Sequence, residues 1–330
     1  MEMAILRDAA LLRHFLAVAR EGSVSAAAGR LAVTQPALTK SIHKLEARLG
    51  VTLFERLPRG IALTRYGKTL LPHARRIEAE CHFAEVEMQA FRAGKTGRLR
   101  VGAGPYFGAA VVPGSIARLQ KHFPDVGVEL VIGVNELTLP RLLDGDLDLM
   151  FGALPEEPPP PYIAVRPLVE LKSRVIAGTR HPLLSKRSVA VTDLAGFPWA
   201  IYQQDHAMVA RLFAMLRDEG AQPPRITAEV NSLTALIRML KAGPYLSCFT
   251  EALVAAHADF GLAVVPLARP VWQFQAGALV HRALEDYPPA TMLFEFVRSD
   301  AEKLRRRDQA TAPPPRPYRG SGRVRVGGRR

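Results

Sequence analysis

Residues that could catalyse a reaction or bind a metal are scattered through this sequence without forming a known motif. The chain has two cysteines, too few for a disulfide framework or a four-cysteine zinc site. His73, Cys81 and His82 lie close together, but they are not spaced along one helix face and they lack a fourth ligand. No G-x-S-x-G, H-E-x-x-H or paired-carboxylate motif is present. These residues therefore favour neither a metal site nor an enzyme.

Three glycines, Gly102, Gly104 and Gly108, follow a predicted strand and precede a predicted helix, as glycines do in nucleotide-binding turns. Their spacing differs from G-x-G-x-x-G, and the next strand ends without the acidic residue that would bind a ribose. We therefore expect no nucleotide and no other cofactor. Two interpretations stay open: a tight strand-to-helix turn, or a turn that borders a ligand cleft together with Tyr106.

The positive charge of the chain, +13 overall, is concentrated at its two ends. Residues 1–65 hold ten Lys or Arg and five Asp or Glu, and residues 301–330 hold ten and two. The residues between them hold 24 of each sign. Charge segregated in this way indicates an end that binds a polyanion, attached to a neutral body with another task.

The length of 330 residues predicts two or three domains. No window reaches the roughly 18 uninterrupted apolar residues of a membrane span, and the first residues lack the apolar stretch of a secretory signal. We therefore expect a cytoplasmic protein that does not contact a membrane.

The N-terminal 50 residues predict three short helices, the third with an exposed polar face. Leu12 to Ala19 has helical apolar spacing, Ser23 or Ser25 can cap a second helix, and Thr34 can cap a third. In the third helix, Leu38, Ile42, Leu45 and Leu49 form a buried stripe. The residues that face away from this stripe are Gln35, Pro36, Thr39, Lys40 and His43. This arrangement is typical of a helix-turn-helix whose last helix reads the major groove of DNA.

Residues 51–64 predict a wing, which is a hairpin of two short strands around Pro58, Arg59 and Gly60. We expect Arg56 and Arg59 to contact phosphates or the minor groove, because a wing lies beside the recognition helix at the DNA backbone. The alternative is that Arg59 is an ordinary charge on the turn, solvated by water and without contact to DNA.

The run from Ser23 to Ala74 resembles the N-terminal signature of the LysR-type transcriptional regulators. The matching elements, in order, are the Ala-rich second helix, TQPALTKSI, KLEARLG, LFER and the LT and G of LTRYG. The resemblance implies a multidomain α/β protein with an all-α winged helix-turn-helix, a long linker helix and a two-lobed, periplasmic-binding-protein-like effector domain. It also implies double-stranded promoter DNA and a small-molecule effector as partners, assembly as a homodimer or tetramer, and RNA polymerase as a further partner.

The linker helix shows a heptad seam of apolar residues with alternating spacings of four and three. The seam comprises Leu70, Ala74, Ile77, Cys81, Ala84, Met88 and Phe91. So narrow a stripe needs a partner, and we expect the same helix of a second chain, as the resemblance also implies. Packing against the body of its own chain is the alternative.

Beyond the linker, strands and helices alternate in two sets, which predicts two α/β lobes with parallel sheets. The expected domains are residues 1–64, the linker helix 65–94, the effector domain 95–300 and a basic, disordered tail 301–330. Lobe I comprises about 97–166 and 268–300, and lobe II about 167–267. Pro-rich segments at 155–161 and 266–270 are the expected crossings.

Ligands of open α/β sheets bind beyond the carboxyl ends of the strands, so we expect an effector cleft between the lobes. The candidate effector residues are Gly104, Tyr106, Gln203, Asn231 and Ser232, with Gln204 a weaker candidate. Asn231 and Ser232 begin a helix whose free N–H groups could bind an anion, and the resemblance favours an anionic metabolite. A plain helix cap is the alternative.

We therefore expect a transcription regulator that binds specific DNA and responds to a small molecule. A two-lobed solute-binding or sensor protein without a DNA-directed role is the main alternative, but the basic N-terminal domain and the lack of a signal peptide oppose it. A doubly wound enzyme is the third, and no catalytic motif supports it.

Overall fold

The computed structural model describes residues 8–57, 60–91, 97–203 and 205–311. Arg59, Gln204 and the tail beyond Thr311 lie outside the described residues, as do the side chains of Arg56 and Phe91. Expectations for these groups therefore stay predictions.

Three helices, a hairpin and one long helix make up the first 91 residues. They are α1 (Ala9–Glu21), α2 (Val24–Arg30), α3 (Gln35–Leu49), β1 (Phe54–Arg56), β2 (Ile61–Leu63) and α4 (Arg65–Phe91). Local signals explain the boundaries. Ser23 and Thr34 accept hydrogen bonds from the backbone N–H groups of Ala26 and Ala37, and Gly50 ends α3 in the left-handed conformation.

The effector region contains six further helices and nine further strands among the described residues. They are β3 (Gly97–Ala103), α5 (Val112–His122), β4 (Val126–Ile132), α6 (Asn135–Leu143), β5 (Leu149–Ala153), β6 (Ile163–Gly178), β7 (Pro198–Tyr202), α7 (His206–Asp218), β8 (Arg225–Val230), α8 (Leu233–Ala242), β9 (Leu246–Thr250), α9 (Glu251–Ala256), β10 (Leu262–Val264), β11 (Trp272–His281) and α10 (Pro288–Thr311). A short turn of wider, π-type winding at Phe107–Val111 precedes α5.

Two long strands, β6 and β11, connect the lobes. The strand order is β4-β3-β5-β11-β6-β9-β7-β8, with β10 paired to β6. The β11 strand pairs with β5 in lobe I, and β6 pairs with β9 and β10 in lobe II. The β11 strand pairs with β6 along its whole length, and the register shifts at Ala276 and Gly277, opposite Val169 and Pro167. The crossings are thus extended strands and not only the proline-rich segments that flank them.

The last helix corrects one expected boundary. Residues 301–311 were expected to belong to a disordered tail, but α10 continues through them to Thr311. Ala301 is buried in the effector core, together with Leu293 and Val297 of the same helix. The apolar face that packs on the lobe thus continues to Ala301 and Leu304, beyond the predicted end of the domain.

The DNA-binding region and the effector region meet at the turn after α6. Arg20 of α1 lies 3.0 Å from Asp146, and Arg75 of α4 pairs with Asp144. Between these two acids, Gly145 adopts a positive φ and lies so close to α4 that a Cβ there would be 1.9 Å from the Ala79 Cβ. The turn is therefore held against two elements of the N-terminal region.

Candidate functional site

The N-terminal turns of α3 present one continuous, concave polar surface. It is formed by Gln35, Pro36, Thr39, Lys40 and His43, the five residues that the sequence predicts for base contact. The opposite face of the helix is buried, with Leu38 and Leu45 fully inside the core. Periodicity alone placed these residues on a common face, and the structure brings them together on it.

Glu46 fixes the position of α3 relative to the wing. Its Oε1 accepts hydrogen bonds from the N–H groups of Leu53 at 2.7 Å and Phe54 at 3.3 Å, at the start of β1. Its other oxygen lies 3.4 Å from His43 Nδ1, so a protonated His43 would form an ion pair with it. One carboxylate thus connects the end of the exposed surface to the hairpin.

The wing lies against the turn that follows α1. The Ile61 N–H donates to the Gly22 carbonyl at 3.0 Å, and β1 pairs with β2 from Phe54 to Arg56. Gly60 has a φ of +90°, and a Cβ at this position would be 2.9 Å from the Gly22 carbonyl oxygen. Only glycine fits there without displacing the hairpin.

The predicted dimerisation seam of α4 divides into two parts. Ala74 is fully buried in the core of the DNA-binding domain, and Leu70 and Ile77 pack against the same core. The assignment of Ala74 needs correction, because its surface is used within the chain, whereas Leu70 and Ile77 are only partly buried and their contact with another chain stays a prediction. Cys81, Ala84 and Met88 are exposed, and Met88 retains 62% of its accessible surface. This second part stays a prediction for contact with another chain.

A deep cleft with a volume of about 550 Å³ lies between the lobes, at the carboxyl ends of their strands. Gly104 follows β3, Leu154 follows β5, Tyr202 ends β7 and Thr250 ends β9, and all four line the cleft. The crossing strands close it from behind with Trp272 and Phe274. The position agrees with the general rule for ligands of open α/β sheets.

Two of the five predicted effector residues, Gly104 and Tyr106, line this cleft. The other three are not among the lining residues, and their role in effector binding stays a prediction. The Ser232 hydroxyl caps α8 by accepting from the Ala235 N–H, the Asn231 carbonyl accepts from the Tyr202 hydroxyl at 3.0 Å, and Gln203 is exposed. Ser232 thus caps α8, as both of its alternatives expected.

The remaining glycines of the predicted turn have packing roles. A Cβ on Gly102 would be 2.8 Å from the Leu147 side chain, and one on Gly108 would be 2.8 Å from Ile132. Close packing of strand and helix thus accounts for these two positions.

Four carboxylates and one guanidinium line the cleft among the described residues, and the sequence analysis singled out none of them. Glu156 of lobe I binds Arg211 of lobe II at 2.9 Å, and Arg211 also stacks 4.1 Å from the centre of the Trp272 ring. The other carboxylates are Glu136, Glu157 and Asp205. A position just after a strand end, as for Asp205, was the available signal.

Glu136 and Asp205 meet across the cleft at the N-terminus of α7. Glu136 Oε1 accepts from the Ala207 N–H at 2.9 Å, and Asp205 Oδ1 accepts from the Met208 N–H at 3.2 Å. Burial raises the pKa of Asp205 to about 6; the Met208 N–H opposes this rise and the Glu136 charge adds to it. Two N–H groups at the start of this helix, those of Ala207 and Met208, are therefore already bound by the protein's own acids.

Comparison with known proteins decides the family. Residues 9–68 match the family described as bacterial regulatory helix-turn-helix protein, lysR family, and residues 92–302 match the LysR substrate binding domain. The chain is 36% identical over 290 residues to the SDS degradation transcriptional activation protein of a Pseudomonas species, covering 86% of this chain and 93% of that one. It is 31% identical to the transcriptional regulator PcaQ of Agrobacterium fabrum, in an alignment that covers 89% of this chain and 94% of PcaQ.

The chain belongs to the LysR family. Solved structures agree on the fold of this LysR-type regulator: a full-length OxyR variant from Pseudomonas aeruginosa is 22% identical, with a TM-score of 0.64, and covers 90% of this chain and 95% of its own. Full-length CbnR in complex with its target DNA is also 22% identical, with a TM-score of 0.57, and covers 89% and 99%. The sequence prediction of a DNA-binding transcription regulator with an effector-binding domain is thereby confirmed. None of the helices in the described ranges has the length and apolar character to span a bilayer.

Proposed function

We propose that this LysR-type regulator reads promoter DNA with the polar surface of α3 and changes that binding when a small molecule occupies the cleft. The observation that carries the first part is the continuous exposed surface from Gln35 to His43. A glutamine side chain can bind adenine with two hydrogen bonds, and the apolar edge of Pro36 suits a thymine methyl group. The proposal requires no catalytic step, and the named relatives are transcriptional regulators.

The cleft supports the second part of the proposal. A ligand that contacts both lobes would change their relative position, and the crossing strands would transmit the change to the lobe I turn that contacts α1 and α4. We infer that two chains associate through the exposed part of α4, so that such a change alters the spacing of paired DNA-binding domains. Because its target is promoter DNA, we place this regulator in the cytoplasm.

Selection of bound sites from randomised DNA tests the role of Gln35. Each good base contact contributes about 1–3 kcal/mol of discrimination, so Gln35→Ala should relax the preference at one base pair in each half-site. Gln120→Ala, at an exposed position of α5, is the matched control and should leave the selected sequence unchanged. An unaltered base preference in Gln35→Ala would remove Gln35 from the interface.

Footprinting tests the response to ligands. The DNA is the intergenic region beside the regulator's own gene, with and without candidate metabolites. We expect a ligand that binds the cleft to lengthen, shorten or shift the protected region. Protection that is identical with every ligand shown to bind the cleft would refute the regulatory role of the cleft.

A further inference from the structure

The charges that line the cleft are unsuited to an anion. Glu136, Glu156, Glu157 and Asp205 outnumber the guanidinium of Arg211. That guanidinium is already bound to Glu156 and stacked on Trp272. Neither Glu136 nor Asp205 forms an ion pair with a Lys or Arg among the described residues. A bound anion would therefore meet unfavourable potential in a partly desolvated site.

Two helix N-termini near the cleft are already used by the protein's own side chains. The first N–H groups of α7 are bound by Glu136 and Asp205, and the N-terminus of α8 is capped by Ser232 outside the cleft lining. The anion site expected from the sequence at Asn231 and Ser232 therefore does not belong to the cleft lining, and the start of α7 is already used by two carboxylates.

Most of the remaining lining is apolar or aromatic. Trp272 and Phe274 stack with their ring centres 4.0 Å apart, and Leu171, Phe249 and Leu253 are buried in the same wall. Thr250 also lines the cleft, and its Oγ1 is shielded from solvent without a hydrogen-bond partner among the described residues. The cleft thus offers a hydrocarbon-binding wall, several hydroxyls that include that of Thr250, and a group of carboxylates.

Glu136 and Asp205 belong to different lobes, Glu136 at the start of α6 and Asp205 before α7. Two carboxylates that approach each other as the lobes close repel one another, and a cation between them replaces this repulsion by two attractions. We propose that the effector is an apolar amine whose ammonium group binds between Glu136 and Asp205 while its hydrocarbon body packs against Trp272 and Phe274. This inference rests on the proposed role of the cleft and specifies its ligand.

Three probes of matched length test the charge class: octylamine, octanol and octanoate, titrated into the full-length protein by isothermal titration calorimetry at neutral pH. Octylamine should bind about tenfold more tightly than octanol, and octanoate should bind most weakly. If octanoate binds as tightly as octylamine or more tightly, the proposal is overturned, while the cleft remains an effector site. Absence of binding by all three probes would overturn it as well.

Two variants locate the ammonium group. Glu136→Gln and Asp205→Asn should each weaken octylamine binding about tenfold and leave octanol binding unchanged. Glu229→Gln, an exposed carboxylate on β8 outside the cleft, changes the net charge equally and should have no effect. Unchanged octylamine affinity in both cleft variants would overturn the proposed position. If octylamine binds as expected but leaves the DNA footprint unaltered, the regulatory role fails and the ligand assignment stands.

Discussion

Asp205 shows how one side chain makes the stability of the protein depend on pH. Its surroundings contain the carboxylate of Glu136, the side chains of Arg211 and His206, and the Met208 N–H that it caps. Because its pKa is raised to about 6 from 3.8, the folded state holds the proton more tightly than the unfolded state. The stabilisation is complete below pH 3.8 and is lost as the pH rises through 6.

We therefore expect Asp205→Asn to stabilise the protein at neutral pH. Asparagine keeps the helix cap and removes the half-buried charge. The gain should be about 1–2 kcal/mol after allowance for solvent screening, or roughly 2–6 °C in melting temperature. Melting curves between pH 4 and 8 should show the gain shrinking as the pH falls below 6.

Asp193→Asn is the control for Asp205→Asn. Asp193 is bound by Lys186 and the Ala190 N–H, and these contacts lower the pKa of its carboxyl. That variant should lose stability at neutral pH instead of gaining it. A loss of stability in both variants would show that the charge of Asp205 is not destabilising.

At the scale of elements, α4 serves three surfaces at once. Ala74 packs in the DNA-binding core, Ala79 contacts the lobe I turn, and Ala84 and Met88 are exposed. Heptad spacing included Ala74, Ala84 and Met88 but not Ala79, and it could not assign residues to surfaces, because each surface belongs to a part of the chain far away in sequence.

This division predicts a specific way to separate protomers. Ala84→Glu combined with Met88→Glu places like charges across an apolar contact, so the variant should sediment as a monomer with unchanged circular dichroism. Ala74→Glu should instead unfold the DNA-binding domain, because it buries an unpaired charge. If the double variant sediments like the parent protein, the exposed part of α4 does not form the interface.

At the scale of the whole molecule, the contact between Gly145 and Ala79 couples lobe I to the linker helix. Gly145→Ala would force α4 away from the turn, since the new Cβ would be 1.9 Å from that of Ala79. Overpacking of this kind costs about 1–3 kcal/mol in addition to the strain of a positive φ. Hydrogen exchange of the α4 amides around Ala79 should become faster in this variant.

Gly220→Ala separates strain from contact. Gly220 has a φ of +66°, similar to the +76° of Gly145, but a Cβ there would meet no atom within 4 Å. The Gly220→Ala variant should show the lower melting temperature that strain causes, while hydrogen exchange of the α4 amides stays unchanged. Equal effects of the two substitutions on stability and exchange would mean that the contact does not couple the regions.

The sequence alone determined the DNA-binding half and the alternation of strands and helices. Ser23 and Thr34 cap helices within three residues of their partners, and the stripe from Leu38 to Leu49 has helical spacing, so these signals are local and readable. The composite motif from Ser23 to Ala74 then identified the family.

Tertiary structure decided the crossing strands and the character of the cleft. The β6 and β11 strands are stabilised by pairing across about 100 positions of sequence, for example Ser173 with Trp272, and neither has a clear alternation of apolar residues. Glu136 and the Ala207 N–H are 71 positions apart, yet they form one hydrogen bond across the cleft. A helix N-terminus is open to an anion only where no carboxylate from a distant part of the chain already binds its N–H groups. Charge and exposure at a site between lobes are properties of the packed chain, because they arise from residues that only folding brings together.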